Sequence, residues 1–128
     1  MSEKFSIEII SPDRSILKME TSEVVIPSFE GEMGILKDHI PLITFLRPGI
    51  INIKAGNEQK FFVEEGTVEF SNNNLLILTS TAVELTKMNK KFIDFLISES
   101  EKKLDNSEVS DKERYLLSYK LETLRNIN

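Results

Sequence analysis

The chain has 128 residues, of which 40% are hydrophobic and 29% are charged, and this balance suits one domain or a domain with an appendage. The net charge of −5 argues against nucleic-acid binding, because phosphate contacts need a basic surface, and the lack of cysteine excludes disulfides and thiol chemistry. No apolar run approaches the roughly 20 residues of a membrane span, and we expect no signal peptide at the N-terminus.

The first part of the chain has the pattern of short strands. All five glycines and all four prolines lie at or before Gly66, where they separate short apolar stretches. In the stretch FSIEII, the alternation places Phe5, Ile7 and Ile9 on one face of a strand. The β-branched stretch SEVVIPSF is predicted to stop at Pro27.

Two later stretches have the pattern of strand pairs joined by tight turns. The first pair is predicted to turn at Gly56 and Asn57, and the second at the asparagines of residues 72–74, since asparagine tolerates left-handed backbone. Many short strands at regular spacing predict an antiparallel β-sandwich, which we place at residues 1–85.

The pattern becomes helical after residue 85. Asn89 is suited to be the N-cap of a first helix, whose apolar stripe consists of Phe92, Ile93, Leu96, Ile97 and Leu104.

A second helix begins where Ser110 and Glu113 have the spacing of a capping box, and Leu117, Leu121 and Leu124 lie on one of its faces. The two helices form a predicted antiparallel hairpin over residues 86–128. Because neither can bury its stripe alone, they must pack on each other, on the sandwich or on a partner.

Charge divides along the same boundary. Residues 1–85 hold 7 Lys+Arg and 13 Asp+Glu, a charge of −6, whereas residues 86–128 hold 9 and 8, a charge of +1. The pattern allows either a solvated helix face or a contact with an acidic partner. The second predicted helix carries four of the basic residues, namely Lys112, Arg114, Lys120 and Arg125.

Residues suited to catalysis are scarce. His39 is the single histidine, no G-x-S-x-G elbow or phosphate-binding glycine motif is present, and one histidine is a weak basis for a metal site. Glu64 and Glu65 point to opposite faces of a strand, while Glu30 and Glu32 flank a glycine that favours a loop. We therefore expect no catalytic residue, no metal and no cofactor, and a protein that works through its surfaces.

One segment resembles a known family. GEMGILKDHIPLITFLRPGIINI, residues 31–53, is similar to the signature of the ε subunit of F-type ATP synthase, with its G-E-[LM]-G-[IV] loop, H-x-P-L segment and K/R-P-G turn. The stretch VEEGTVEFSNNNLLILTSTAVE, residues 63–84, resembles a second family segment. Lys37 stands where many members have proline, and we expect the turn to persist.

The resemblance implies a β-sandwich with a C-terminal helical hairpin and a non-catalytic role in the rotor of a proton-translocating ATP synthase. In the family the sandwich binds the γ shaft and rests on the ring of c subunits. By position, Ser11 and His39 inherit the γ contact. The c-ring contact falls on a short docking loop made of Gly31, Glu32, Met33 and Gly34.

The resemblance also implies a movable hairpin. In bacterial relatives the hairpin folds on the sandwich or extends along the shaft, where its basic residues contact the catalytic subunits transiently and inhibit ATP hydrolysis. Such a chain would sit at the cytoplasmic face of the bacterial inner membrane, associated only through the complex. The alternative is a stand-alone β-sandwich module that binds a ligand or a protein and carries a helical tail.

One departure from the family concerns ATP. Some bacterial members bind ATP through an [IL]-D-x-x-R-A motif at the start of the first helix. Here Asn89 replaces the aspartate and Phe92 replaces the arginine, so we predict no ATP sensing by this motif. Lys90 or Lys91 would supply weak phosphate attraction at most, and Phe92 is expected to pack the hairpin more firmly.

Overall fold

The computed structural model of the protein describes residues 3–127, so residues 1, 2 and 128 of the two predicted segments lie outside the described residues. Ten strands are followed by a 3-10 turn and two helices. The strands are β1 Phe5–Ile10, β2 Ser15–Thr21, β3 Glu23–Ser28, β4 Gly31–Leu36, β5 Leu42–Leu46, β6 Gly49–Ala55, β7 Asn57–Val63, β8 Gly66–Ser71, β9 Asn74–Leu78 and β10 Val83–Glu84. The 3-10 turn is Leu85–Lys87, and the helices are α1 Lys90–Leu104 and α2 Asp111–Arg125.

The strands form a sandwich of two layers. Hydrogen bonding follows the order β10-β7-β6-β3-β5-β8-β9-β1-β2, with β4 paired to β3. The path folds over where β3 meets β5, which pair only at Ser28 and Leu46. We call β10, β7, β6, β3 and β4 sheet one, and β5, β8, β9, β1 and β2 sheet two. All pairs are antiparallel except β1 with β9, so the predicted sandwich followed by a helical hairpin is confirmed.

The core lies between the layers. The predicted alternation in β1 is confirmed, since Phe5, Ile7 and Ile9 are buried. Each fully buried side chain of this size contributes about 1.5–3 kcal/mol of transfer free energy. Both sheets supply the rest of this cluster, including Val24, Ile26, Ile35, Leu46, Ile51, Ile53, Phe61, Val63, Val68, Phe70, Leu75 and Ile77.

Both predicted turns are confirmed. Gly56 joins β6 to β7 with a φ of +76°, and Asn72 and Asn73 join β8 to β9 with φ values of 50° and 58°. Asn74 is already the first residue of β9. Glycine and asparagine are the residues that adopt positive φ at low cost, which is why their positions in the sequence revealed these hairpins.

The expectation that Pro27 ends its strand was wrong. Pro27 lies inside β3, and its carbonyl accepts a hydrogen bond of 3.0 Å from the Arg47 amide. On that side β3 pairs with β6 through Val24 and Val25 and with β5 through Ser28. Pro27 falls between those two partners, so the missing N–H interrupts no ladder.

The helical hairpin packs on the outer face of sheet one. A second apolar cluster joins Phe62 of β7 to Met88, Ile93 and Leu124, with Ile50 of β6 packed against it. The predicted caps are both present, because Asn89 accepts a bond of 2.8 Å from the Phe92 amide and Ser110 forms a capping box with Glu113. The two stripes therefore pack on each other and on the sandwich.

The expectation that Phe92 packs the hairpin more firmly was wrong. Phe92 is 38% exposed and Phe95 is 59% exposed, whereas Ile93 between them is buried. Ile93 belongs to the second apolar cluster, and Leu96 and Ile97 pack against it half-buried, whereas Phe92 is not part of that cluster.

Candidate functional site

The segment Gly31–Leu36 is a strand, so the expectation of a loop conformation there was wrong. The loop is the two-residue turn that precedes it, held by a 2.6 Å hydrogen bond from the Ser28 hydroxyl to the Gly31 carbonyl. Gly31 has a φ of +124°, a conformation that favours glycine. Among the described strands β4 pairs only with β3, so its other edge is open.

Strand alternation separates the four residues assigned to this segment. Met33 packs against the core between the sheets, while Glu32 is exposed on the outer face of sheet one. Gly34 is also exposed, and a Cβ added there would meet only the Glu23 carboxylate at 3.6 Å. The surface at this place therefore consists of Gly31, Glu32 and Gly34, supported from behind by Met33.

His39 follows a tight turn that persists with Lys37 in place of proline, as expected. The His39 amide donates to the Leu36 carbonyl at 3.1 Å, and Asp38 has a φ of 66°. Asp38 is held by Asn73, whose side-chain oxygen accepts from the Asp38 amide at 2.7 Å. The His39 ring lies edge-on to the Phe70 ring with centroids 5.9 Å apart, so this histidine is fixed beside the start of β5.

Ser11 lies at the opposite end of sheet two from His39. Its hydroxyl and its amide both donate hydrogen bonds to the Arg14 carbonyl, at 3.2 and 2.9 Å, and these bonds close the turn between β1 and β2. Ser11 follows Ile10, which pairs with Leu78 at the end of β9, whereas His39 is near the turn that begins β9. The five residues of β9 place roughly 13 Å between the two ends, so the structure does not bring Ser11 and His39 together.

An exposed apolar surface covers the outer face of sheet two between those ends. Ile43 and Phe45 of β5 are 75% and 57% exposed, and Leu78 of β9 is 45% exposed. Thr67 pairs with both Phe45 and Leu78, which puts them in one row. We call Ile43, Phe45 and Leu78 the outer apolar face.

Sequence reasoning missed the outer apolar face. Its signal was present in LITFL, where apolar residues occupy both faces of one strand. Large exposed apolar patches mark interaction sites, so the outer apolar face is a candidate contact surface.

The four basic residues of α2 divide into two pairs. Lys120 is 12% exposed and makes an ion pair of 2.7 Å with Glu64 of sheet one, and Arg125 makes one of 2.7 Å with Glu101 of α1. Lys112 and Arg114 are exposed and make no ion pair with any of residues 3–127. In this conformation two of the four candidates are already used within the chain.

A cluster of four side chains ties α2 to the edge of the sandwich. The Arg47 guanidinium carbon lies 3.8 Å from the centroid of the Tyr119 ring, and Arg47 donates to the Tyr115 hydroxyl at 3.3 Å. The Tyr115 hydroxyl donates to the Phe29 carbonyl at 3.2 Å, and the two aromatic rings meet edge to face. We call Phe29, Arg47, Tyr115 and Tyr119 the aromatic clamp, which sequence spacing alone did not reveal.

At the start of α1, Asn89 and Lys90 have structural roles in place of the ATP-binding motif of some family members. Asn89 caps the helix, and Lys90 makes an ion pair of 2.8 Å with Asp94. The hydrogen bond and the charge of Asp94 raise the pKa of Lys90 above its ordinary 10.5. Lys90 therefore stays protonated, but the negative charge of Asp94 offsets its positive charge and weakens the phosphate attraction that was considered for it.

No cluster of three or more histidine or carboxylate side chains suited to a metal ion occurs within residues 3–127. Over the same residues, neither helix combines the length and the apolar character needed to cross a membrane.

Residues 4–85 match the family model described as ATP synthase, Delta/Epsilon chain, beta-sandwich domain. The ATP synthase epsilon chain of Pelagibacter ubique is 48% identical over an alignment of 131 positions that covers 100% of both chains. That of Rhizobium etli strain CIAT 652 is 31% identical over 109 positions, covering 84% of this chain and 81% of the relative.

Two solved assemblies contain chains with the same fold. One is the mitochondrial ATP synthase of Euglena gracilis, resolved as OSCP, F1 and c-ring, with a TM-score of 0.77, 22% identity and coverage of 95% of this chain and 78% of the other. The other is the central stalk and c-ring of the Tetrahymena thermophila mitochondrial ATP synthase, with a TM-score of 0.64, 14% identity and coverage of 97% and 93%. With its sandwich, its hairpin and its full-length relatives, the chain belongs to the ATP synthase epsilon chain family.

Proposed function

We propose that this chain is a non-catalytic subunit of the central stalk of a proton-translocating ATP synthase, where it couples the γ shaft to the c ring. Residues 1–85 form the docking domain and residues 86–128 form a hairpin that restrains ATP hydrolysis. The proposal rests on family membership together with one observation, the outer apolar face of sheet two, which a soluble stand-alone sandwich has no reason to expose.

The outer apolar face is the proposed γ dock. It lies on the layer opposite the hairpin, so γ can bind whether the hairpin is seated or released. His39 precedes β5 and Ser11 follows β1, so the proposal assigns these residues to the two ends of the contact and Ile43 and Phe45 to its centre. Apolar centres with polar rims are the usual arrangement of stable protein interfaces.

An Ile43→Glu exchange tests the γ dock, because it places a charge at the centre of the contact. We expect the variant to lose roughly tenfold or more in affinity for F1 from which its own epsilon chain has been removed. Phe95→Glu is the matched control, since Phe95 is 59% exposed but lies on α1. Equal affinity of both variants for F1 would contradict the proposal that γ binds the outer apolar face. Failure of the unaltered chain to bind F1 would favour the stand-alone binding module instead.

The β3–β4 turn and the start of β4 are the proposed c-ring contact. Gly31, Glu32 and Gly34 present backbone and one carboxylate there without a bulky side chain, and Met33 supports them from the core. Glycine permits close approach of another backbone. Gly34→Val would block that approach, and we expect it to weaken ATP-driven proton pumping while F1 binding through γ is retained.

The hairpin is the proposed brake, with different roles for its basic residues. Lys112 and Arg114 are exposed and available to an acidic partner while the hairpin is seated. Lys120 and Arg125 must first leave Glu64 and Glu101. Catalytic subunits would thus attract the start of α2 before its end, and long-range attraction of this kind weakens with salt.

Titration of the depleted F1 tests the brake. We expect the full chain to suppress ATP hydrolysis and the double variant Lys112→Gln with Arg114→Gln to bind equally while suppressing less. The control is Lys102→Gln with Lys103→Gln, since these lysines are exposed near the end of α1. Binding without inhibition by the full chain would leave it a coupling subunit whose hairpin is structural. We place the assembled subunit at the cytoplasmic face of the bacterial inner membrane.

A further inference from the structure

The aromatic clamp joins α2 to two turns of the sandwich, the β3–β4 turn through Phe29 and the β5–β6 turn through Arg47. Tyr115 is central to it, because its hydroxyl accepts from Arg47 at 3.3 Å and donates to the Phe29 carbonyl at 3.2 Å. One turn later in α2, the Arg47 guanidinium carbon lies 3.8 Å from the centroid of the Tyr119 ring. A cation over an aromatic face is attracted by the ring quadrupole, so Arg47 is held by both tyrosines.

The Phe29 contact of the clamp depends on the β3–β4 turn. Phe29 is the first residue of that turn, and its amide donates to the Phe45 carbonyl at 3.1 Å. The turn closes through the Ser28 hydroxyl and the Gly31 carbonyl, and Gly31 has a φ of +124°. A change in this turn therefore moves the carbonyl that Tyr115 binds.

The rest of α2 is seated by different contacts. Leu121 and Leu124, in its C-terminal half, are 3% and 1% exposed, and Leu124 packs with Phe62 of sheet one. In the N-terminal half, Tyr115 is 40% exposed and holds the sandwich mainly by two hydrogen bonds and a ring contact. Segments with few buried apolar contacts open first, so the N-terminal half of α2 is the part whose release the clamp controls.

We propose that the clamp couples the β3–β4 turn to the seating of α2, so that loosening either one loosens the other. Coupling of this kind is reciprocal by thermodynamic necessity. Resting on the proposed function, it has a consequence for regulation: a c ring docked at the turn changes the tendency of the hairpin to leave the sandwich.

Hydrogen exchange on the isolated full chain tests the coupling without any partner. Gly31→Ala strains the backbone where the turn meets β4 without a steric clash, because an added Cβ has no neighbour within 4 Å while the φ of +124° disfavours it. Gly56→Ala is the matched control, with a φ of +76°, equally open space and a place in the β6–β7 turn. We expect amides of residues 115–119 to exchange roughly three- to tenfold faster in Gly31→Ala and to be unchanged in Gly56→Ala.

Tyr115→Phe completes a double-mutant cycle and supplies the reverse measurement. Alone it removes the hydroxyl and should speed exchange of the turn amides at residues 29–31 by roughly two- to tenfold. In the Tyr115→Phe background, which keeps the ring contact with Phe29, Gly31→Ala should affect residues 115–119 less than it does in the unaltered chain.

Equal effects of the two glycine variants on α2, or an unchanged turn in Tyr115→Phe, would overturn the coupling. Either result would leave the rotor assignment intact, because no binding to F1 is measured. Conversely, a chain that fails to bind F1 can still show the coupling.

Discussion

Leu124 is the side chain whose removal should release the hairpin selectively. It is 1% exposed and packs with Phe62, Met88 and Ile93 in a cluster separate from the core between the sheets. Leu→Ala at a fully buried site costs about 2–5 kcal/mol. Because isolated helices of this length are marginal in water, that loss falls on the seating of the hairpin.

We therefore expect Leu124→Ala to speed exchange of the α1 and α2 amides by about 30-fold or more, since each 1.4 kcal/mol is a factor of ten. The amides of β6 and β7, which bond within sheet one, should keep their protection. Hydrogen exchange read residue by residue by NMR on the full chain separates the two regions.

Leu117→Ala is the matched control for this prediction. It is the same substitution on the same face of α2. Because Leu117 is only half-buried, we expect it to reduce the stability of the packed hairpin by only about 1 kcal/mol. Loss of protection in the helices and the strands together would refute the conclusion that the hairpin packs independently of the inner core. So would equal effects of the two leucine variants.

Three further substitutions test individual contacts. Gly49→Ala would put a Cβ 2.5 Å from Cβ of Pro27, and we expect a loss of about 1–3 kcal/mol in urea unfolding of the sandwich. Ser110→Ala removes half of the capping box and should cost about 0.5–2 kcal/mol, seen as fraying of the first turn of α2 by NMR. Lys120→Met removes the 2.7 Å ion pair with Glu64 and should lower hairpin protection by about 1 kcal/mol. That variant should also make the remaining protection less sensitive to salt.

Much of the local structure was predictable because it depends on residues only a few positions apart. Alternation located the buried face of β1, asparagines marked the β8–β9 turn, and Ser110 with Glu113 marked the start of α2. Pro27 misled the prediction because whether proline ends a strand depends on which neighbour would have used its N–H.

The candidate site was predictable only in part. The motif around residues 31–49 identified the family, but it could not show that Gly31–Leu36 is a strand whose alternation sends Met33 inward and Glu32 outward. Nor could it show that Ser11 and His39 lie at opposite ends of sheet two, since that follows from the parallel pairing of β1 with β9.

By itself, the sequence determined that a strand-rich part precedes two helices, where the helix caps and two tight turns fall, and which apolar stripes require burial, because these depend on residues a few positions apart. Tertiary structure alone decided which face each stripe meets. It left Phe92 and Phe95 in solvent, used Lys120 and Arg125 in ion pairs, and brought Arg47 onto Tyr119 from 72 positions away. Such contacts depend on the packing of whole layers, and no local spacing encodes them.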